Sequence, residues 1–260
     1  MKKIIMLVVT HKKYEFPDNN LYLPIQVNSK KNGKFGYQTD AEGDNITDKN
    51  ANYCELTALY WAWKNLKCDY IGINHYRRYM TLKDKSEINS AKTNKDKFKI
   101  ILSQKEIEEQ MKKYDALLPM TKLYIKNVYS KYAQQHHIKD LDNCRNIIKQ
   151  KFPSYVETFD KVMKNKTYCI CNMCVISKKN FDNYCKWLFD ILFELEKITD
   201  LSNYSALQKR IYGFLSERLF NVWIEHNNLK FKRVNIVNLE SDNLKTIMKK
   251  AAKRILHKKS

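Results

Sequence analysis

Short apolar runs alternate along this chain with segments of helical period, and that order predicts an α/β layered fold with a mainly parallel central sheet and helices on both faces. Two further observations point the same way. With 260 residues, 43% of them hydrophobic, the chain can bury one substantial core, which predicts a single domain over residues 1–240 and a small basic extension over 241–260. No internal repeat is present, so one set of elements builds the whole layer. In such folds ligands bind beyond the carboxyl ends of the strands, and functional side chains are sought there.

The first element is IIMLVV at 4–9, a buried strand. The start MKK is basic, but the apolar run ends at once in Thr10, His11 and Lys12 with no small-residue cleavage site, so it reads as a strand rather than a leader. Residues 14–47 read as irregular, holding Pro17, Pro24, Gly33, Gly36 and Gly43, and a loop of that length is itself a functional signal. A helix opens between Asn45 and Asn52. Its Tyr53, Leu56, Tyr60 and Trp63 recur at the spacing of one buried face, leaving Glu55 and Trp61 outside that stripe.

A strand at 69–74 follows, then a Lys-rich insert at 83–99, a helix from Ser103 to Lys113 and a strand at 115–120. A helical region runs from Ser130 to Lys151 and stops before Pro153. The remaining elements are a strand at 168–176, a strongly apolar helix at 181–198, a helix from Ser205 to His226 and a strand at 231–237. No apolar stretch reaches the roughly 18 residues a transmembrane helix needs, so no span is expected.

The formal charge of +20 calls for an anionic partner: nucleic acid, an acidic membrane surface or a phosphorylated substrate. The lysines are spread over the insert, the tail and most loops instead of grouping with stacking aromatics, which argues against nucleic acid. In the tail, Leu244, Ile247, Met248, Ala251, Ile255 and Leu256 fall at helical spacing among Lys and Arg with no acid. That pattern suits an amphipathic helix lying in an anionic leaflet, or an ordinary basic helix packed on the core. Seven cysteines without an export signal predict reduced thiols in the cytoplasm. Cys169, Cys171 and Cys174 form the only cluster, and YCICNMCVI reads as a buried strand with small positions filled by Cys rather than as a zinc site.

There is no Gly-rich phosphate cradle and no nucleophile elbow, which excludes a nicotinamide dehydrogenase, a P-loop enzyme and a serine hydrolase. What remains is an enzyme that grips a phosphorylated substrate with side chains. The strand at 69–74 ends in Asn74, His75, Tyr76, Arg77 and Arg78. Successive residues on an extended chain face opposite ways, so both guanidiniums can serve one site only if the strand ends there and the backbone turns. Two arginines at that edge match a diphosphate; pairing with carboxylates is the alternative.

The words VVTHK, DNITDKNANYCELTALYWAWKN, DYIGINHYRRYM, CNMCVI, FDNYCKWLFDILFELE and GFLSERLFNVW occur in that order over nearly the whole chain. In them the sequence resembles the bacterial galactofuranosyltransferases that build capsule, exopolysaccharide and O-antigen chains, a family first catalogued as a domain of unknown function. The resemblance implies a GT-A-like fold, a UDP-galactofuranose donor and a lipid-linked glycan acceptor. It also implies a place on the inner face of the cytoplasmic membrane. Nothing in the residues reads ring size, so a transferase using UDP-galactopyranose or UDP-glucose stands beside it.

GT-A enzymes usually carry an Asp-X-Asp metal motif where this chain has NHYRRY. The resemblance therefore implies that cationic side chains take the metal's part in neutralising the leaving UDP, with no cofactor; a divalent cation stands as the alternative. The literal Asp140-Leu141-Asp142 lacks a preceding strand and is set aside as a metal site. By the same resemblance Thr10, His11, Lys12, Asp44, Asn45, Asn50, Asn74, His75, Tyr76, Arg77, Arg78 and Asn172 become donor contacts. For Thr10 to Lys12 the alternative is a solvated turn, and for Asn45 or Thr47 a helix cap. Glu55 either orients the arginines or is a surface acid. Inversion at the anomeric carbon requires one general base. Glu217 resembles the base of inverting GT-A enzymes in placement, with pairing to Arg210 or Arg218 as its alternative. Asp140 is the rival base; His75 joins the catalytic candidates, and His137, Asp140 and Arg218 are expected at the acceptor.

Overall fold

The computed structural model describes residues 2–121 and 123–240, so the basic extension expected over 241–260 lies outside the described residues. Eight strands form one sheet: β1 Ile4–Thr10, β2 Tyr22–Gln26, β3 Gln38–Thr39, β4 Tyr70–His75, β5 Arg78–Thr81, β6 Ala116–Pro119, β7 Cys174–Ser177 and β8 Phe231–Asn238. The helices are α1 Ser29–Asn32, α2 Asn50–Tyr53, α3 Leu56–Asn65, α4 Lys85–Ser90, α5 Asn94–Lys99, α6 Gln104–Met111, α7 Val128–Gln135, α8 Ile138–Lys151, α9 Val156–Lys164, α10 Lys178–Ile198 and α11 Ile211–His226. No described helix is long and apolar enough to cross a membrane.

The sheet is mixed, and the expectation of a mainly parallel one is corrected. β3, β2, β1 and β4 run parallel, with Val9 of β1 level with both Ile25 and His75. From β4 onward the sheet changes character: β5 and β7 both pair antiparallel to β4, β8 is antiparallel to β5, and β6 joins β8 to β7. Strands β4, β5, β8, β6 and β7 thus close into a small barrel at one end. The physical cause is the connection after β4. His75 pairs directly with Arg78, a two-residue hairpin, whereas a parallel partner would need a long crossover.

Side chains alternate across β1 as a strand buried on both faces requires. Leu7 and Val9 join the larger core with Ile71, Ile73 and the helices α3, α10 and α11, while Ile4, Met6 and Val8 join a second core with Ile107 of α6, Val175 and Val237. Gly72 sits between the two strands of that second core because a Cβ there would run into the Met6 thioether.

Five expectations fail for identifiable reasons. The stretch read as irregular holds β2, whose Pro24 is tolerated because β3 pairs only with Ile25 and Gln26 beyond it. The helix expected from Asn45 onward breaks at Cys54, whose φ of 54° and ψ of −128° separate α2 from α3. In α3 the stripe reading is also wrong: Trp61 is buried while Tyr60 and Trp63 are half-buried, Trp63 stacking on Phe189 of α10 with planes 2° apart. The helical region at 130–151 divides at His136 and His137, and of the strand read at 168–176 only Cys174 onward enters the ladder.

Candidate active site

The carboxyl ends of β1, β2 and β4 lie level, and a cleft of about 460 Å³ opens beyond them. Its walls carry Thr10 and His11 at the end of β1, Asn28 and Asn32 after β2, Asn50 of α2, Cys54 and Glu55 from the α2–α3 break, and Arg210 and Glu217 from around α11. The hairpin supplies His75, Tyr76, Arg77 and Arg78, so the turn that the doubled arginine demands is present and both guanidiniums border one space.

Cys171 ties this wall together. It and Asn172 stand in the left-handed region at φ 71° and 50°, which bends the segment before β7 into the cleft. The Cys171 carbonyl accepts from His75 Nε2–H at 2.6 Å, its backbone N–H donates to Glu217 Oε1 at 2.7 Å, and its Sγ accepts from Arg78 at 3.2 Å. The bond to a carbonyl makes Nε2 the protonated nitrogen, and burial lowers the His75 pKa, so the ring is neutral. Burial pushes the Cys171 thiol up to about 11, so it remains an uncharged acceptor.

Glu217 is held at both oxygens, the second by Arg218 Nη1 at 3.0 Å. Burial nevertheless raises its pKa, against the lowering by Arg218 and the Cys171 N–H. Glu55 is different. Its Oε1 accepts from Asn172 Nδ2 at 2.9 Å, and among the described residues Oε2 has no hydrogen bond.

The cations are arranged unequally. Arg77 pairs with Glu240 at 2.6 Å, and Lys12 reaches the same carboxylate at 3.2 Å with its ammonium 4.7 Å from the Tyr76 ring centre. Among the described residues Arg78 and Arg210 form no salt bridge; Arg78 donates to the Cys171 thiol and Arg210 to that of Cys54 at 3.1 Å. A thiol orients a guanidinium without cancelling its charge, which leaves both cations able to take an anion.

Of the residues named from sequence, Thr10, His11, Asn50, Glu55, His75, Tyr76, Arg77, Arg78 and Glu217 line the cleft together. Others do not reach it. Asn74 is buried beneath the hairpin, accepting from the Met80 N–H, and Lys12 stands behind Tyr76. Asn172 is buried and braces Glu55 and Ser216. Asp44 and Asn45 bind the loop before α2: Asp44 takes the Tyr60 hydroxyl, and Asn45 caps the turn at Thr47. Asp140 is buried on α8 against the Tyr204 hydroxyl at 2.8 Å, and His137 lies on the Tyr204 ring. Arg218, expected at an acceptor, is only 2% exposed, between the Tyr132 and Tyr168 rings. Glu55 makes no hydrogen bond to an arginine among the described residues, so the orienting role expected of it falls to the two thiols.

The cysteine cluster does not converge. Cys171 faces Arg78, Cys169 faces Arg233 and Cys174 is buried in β7. No group of three His, Cys, Asp or Glu side chains placed to hold a metal occurs among the described residues. Sequence reasoning passed over Cys54, Cys171, Asn28, Asn32 and, as a cleft residue, Arg210. The one available signal was the odd density of Cys and Asn just before β7, which reads equally well as packing.

Comparison with known proteins adds three findings. No curated protein matches the chain. Among solved structures, the apo structure of the WbbM bifunctional glycosyltransferase superposes with a TM-score of 0.83 at 29% identity, over 92% of this chain and 46% of that one. This chain therefore spans less than half of that protein's length. A family described as Domain of unknown function (DUF4422) matches residues 5–228, and the chain belongs to that family.

Proposed function

We propose that the chain is a glycosyltransferase that moves a galactofuranosyl residue from UDP-galactofuranose to a lipid-linked glycan, with inversion. The observation that carries this is the cleft: three arginines and two carboxylates meet beyond parallel strand ends, in a fold shared with a bifunctional glycosyltransferase. Arg78 and Arg210 hold the donor diphosphate, and Arg77 joins them when the phosphate displaces Glu240. As the bond from the anomeric carbon to phosphate breaks, the electron pair stays on UDP, and the guanidiniums stabilise that charge where other enzymes use a divalent ion.

The acceptor hydroxyl attacks the anomeric carbon from the opposite face, and its proton must go to one base. The sequence favoured Glu217, and burial does raise its proton affinity. The hydrogen-bond pattern favours Glu55, whose Oε2 has no partner among the described residues, whereas both oxygens of Glu217 are occupied. In this reading Glu55 takes the proton and Glu217 positions Cys171. A panel of UDP-sugars with a synthetic lipid-linked acceptor, following UDP release with and without EDTA, tests the proposal. Release only from UDP-galactopyranose or UDP-glucose would replace the donor, activity lost to EDTA and restored by Mn²⁺ would defeat the cationic substitution, and no release from any donor would defeat the function.

A further inference from the structure

The loop between β6 and α7 carries a feature that sugar transfer does not use. Among the described residues seven large hydrophobic side chains are exposed, and four of them, Met120, Leu123, Ile125 and Tyr129, fall within ten positions of this one segment. Leu123 is 79% and Ile125 94% exposed. Leaving such side chains singly in water is ordinary, but clustering them on one loop marks a contact surface.

The composition around them selects the contact. MTKLYIKNVYSK, residues 120–131, contains Lys122, Lys126 and Lys131 and no acid. The acid that reaches the segment is Asp142 of α8, which accepts the Tyr129 hydroxyl at 3.0 Å. Interleaved apolar, tyrosine and lysine side chains are the make-up of a surface that enters the headgroup region of an anionic bilayer. A protein interface would ordinarily mix both signs of charge at its rim, whereas every charged residue within 120–131 is a lysine.

The loop is also held as such a device needs to be, fixed at the base and open at the tip. Tyr124 alternates with its exposed neighbours and turns inward. Its ring lies 5.5 Å from that of Tyr168, its N–H donates to the Lys166 carbonyl at 2.9 Å, and the Lys131 ammonium sits over its face at 3.4 Å. Tyr168 in turn accepts from Arg218, the partner of Glu217 in the cleft. We propose that the 120–129 loop inserts Leu123 and Ile125 into an anionic lipid surface and so sets the cleft beside that surface. This does not depend on the transfer reaction, and it is separate from any part played by residues 241–260.

The test uses the full chain with an Ile125→Trp substitution. Vesicles of phosphatidylcholine are compared with vesicles containing phosphatidylglycerol, each made with and without brominated acyl chains. The four native tryptophans, in the wild-type protein, give the baseline. The expected result is quenching of the added indole by brominated anionic vesicles only, with binding weakened about tenfold by Leu123→Asp, since one apolar anchor is lost. Three outcomes would overturn the proposal: sedimentation with vesicles but no added quenching, which places the contact elsewhere; no sedimentation at all; or a dimer in solution that Leu123→Asp dissolves, which assigns the loop to a second copy. Ile125→Trp and Leu123→Asp both alter largely exposed positions, and unchanged thermal melting confirms that the variants are folded.

Discussion

Arg218→Met tests the account of the cleft wall most sharply. The side chain is 2% exposed, donates to Glu217 Oε2 at 3.0 Å, to the Phe214 carbonyl at 2.8 Å and to the Tyr168 hydroxyl at 3.1 Å, and lies between two tyrosine rings. Methionine fills much of that volume, so the cavity contribution is small. What is lost is the cation facing a carboxylate that is itself 18% exposed. Removing one member of a buried pair leaves the other charge uncompensated and costs about 3–5 kcal/mol. At ~2–4 °C per kcal/mol for a chain of this size, the melting temperature should fall by roughly 6–20 °C. Adding Glu217→Gln should recover more than half of the loss, because the isolated charge disappears while the amide oxygen still accepts the Cys171 N–H. Urea unfolding of the two single variants and the double variant measures the coupling. A cost below about 1 kcal/mol for Arg218→Met, or strictly additive losses in the double variant, would refute the view that this pair holds the wall.

Arg78→Ala and Arg210→Ala should each weaken UDP binding about 10- to 100-fold by calorimetry, the worth of a charge-assisted hydrogen bond, with little change in melting; unchanged affinity in both would end the diphosphate assignment. Glu55→Gln should lower kcat by about 10² or more while UDP affinity holds, and Glu217→Gln should act mainly on stability; the reverse pattern returns the base to Glu217. Burial lowers the pKa of His11, His75, His136 and His226, so below the ordinary value of 6.5 these side chains bind more protons in the unfolded chain than in the native one and their contribution to stability falls with falling pH, while the raised carboxyls of Asp40, Asp140 and Glu217 act in the opposite sense. From about pH 7.5 to 5.5 the parent should therefore lose more melting temperature than His75→Gln; equal changes in the two proteins contradict the neutral-ring assignment. Cys171→Gly and Cys54→Gly should melt within a few degrees of the parent, since both positions have positive φ, yet bind UDP more weakly.

Much of the sheet was legible because burial writes itself into short runs. Ile4–Val9, Ala116–Leu118 and Phe231–Val237 needed no tertiary information, and the abrupt change from Ile73 to His75 announced a strand end that borders the cleft. The barrel was not legible. Its closure depends on β7 pairing with β4 across about a hundred residues, and periodicity within an element carries nothing about its partner or direction. The same limit hid the second half of the cleft: Arg210 and Cys171 meet the hairpin only through contacts more than ninety residues apart in sequence. Asp140 and Arg218 were misplaced for a related reason, since a charged side chain on a helix gives no sign from sequence whether it faces solvent or a buried partner.

The backbone explains why those hidden residues are what they are. Among the described residues five non-glycine positions have positive φ, and three of them, Asn28, Cys54 and Cys171, line the cleft, with Asn172 directly behind. Each such conformation costs on the order of 1–3 kcal/mol for an ordinary side chain, and glycine would remove the cost at once. Glycine has no sulfur. Cys54 and Cys171 each orient a cleft arginine through Sγ, and burial raises both thiol pKa values, keeping them protonated. Aspartate or glutamate at either place would orient the guanidinium as well and cancel its charge, which the proposed diphosphate needs. A strained, neutral acceptor is the residue type that fixes the arginines and leaves their charge available, and it accounts for two cysteines standing where backbone geometry alone would have placed glycine.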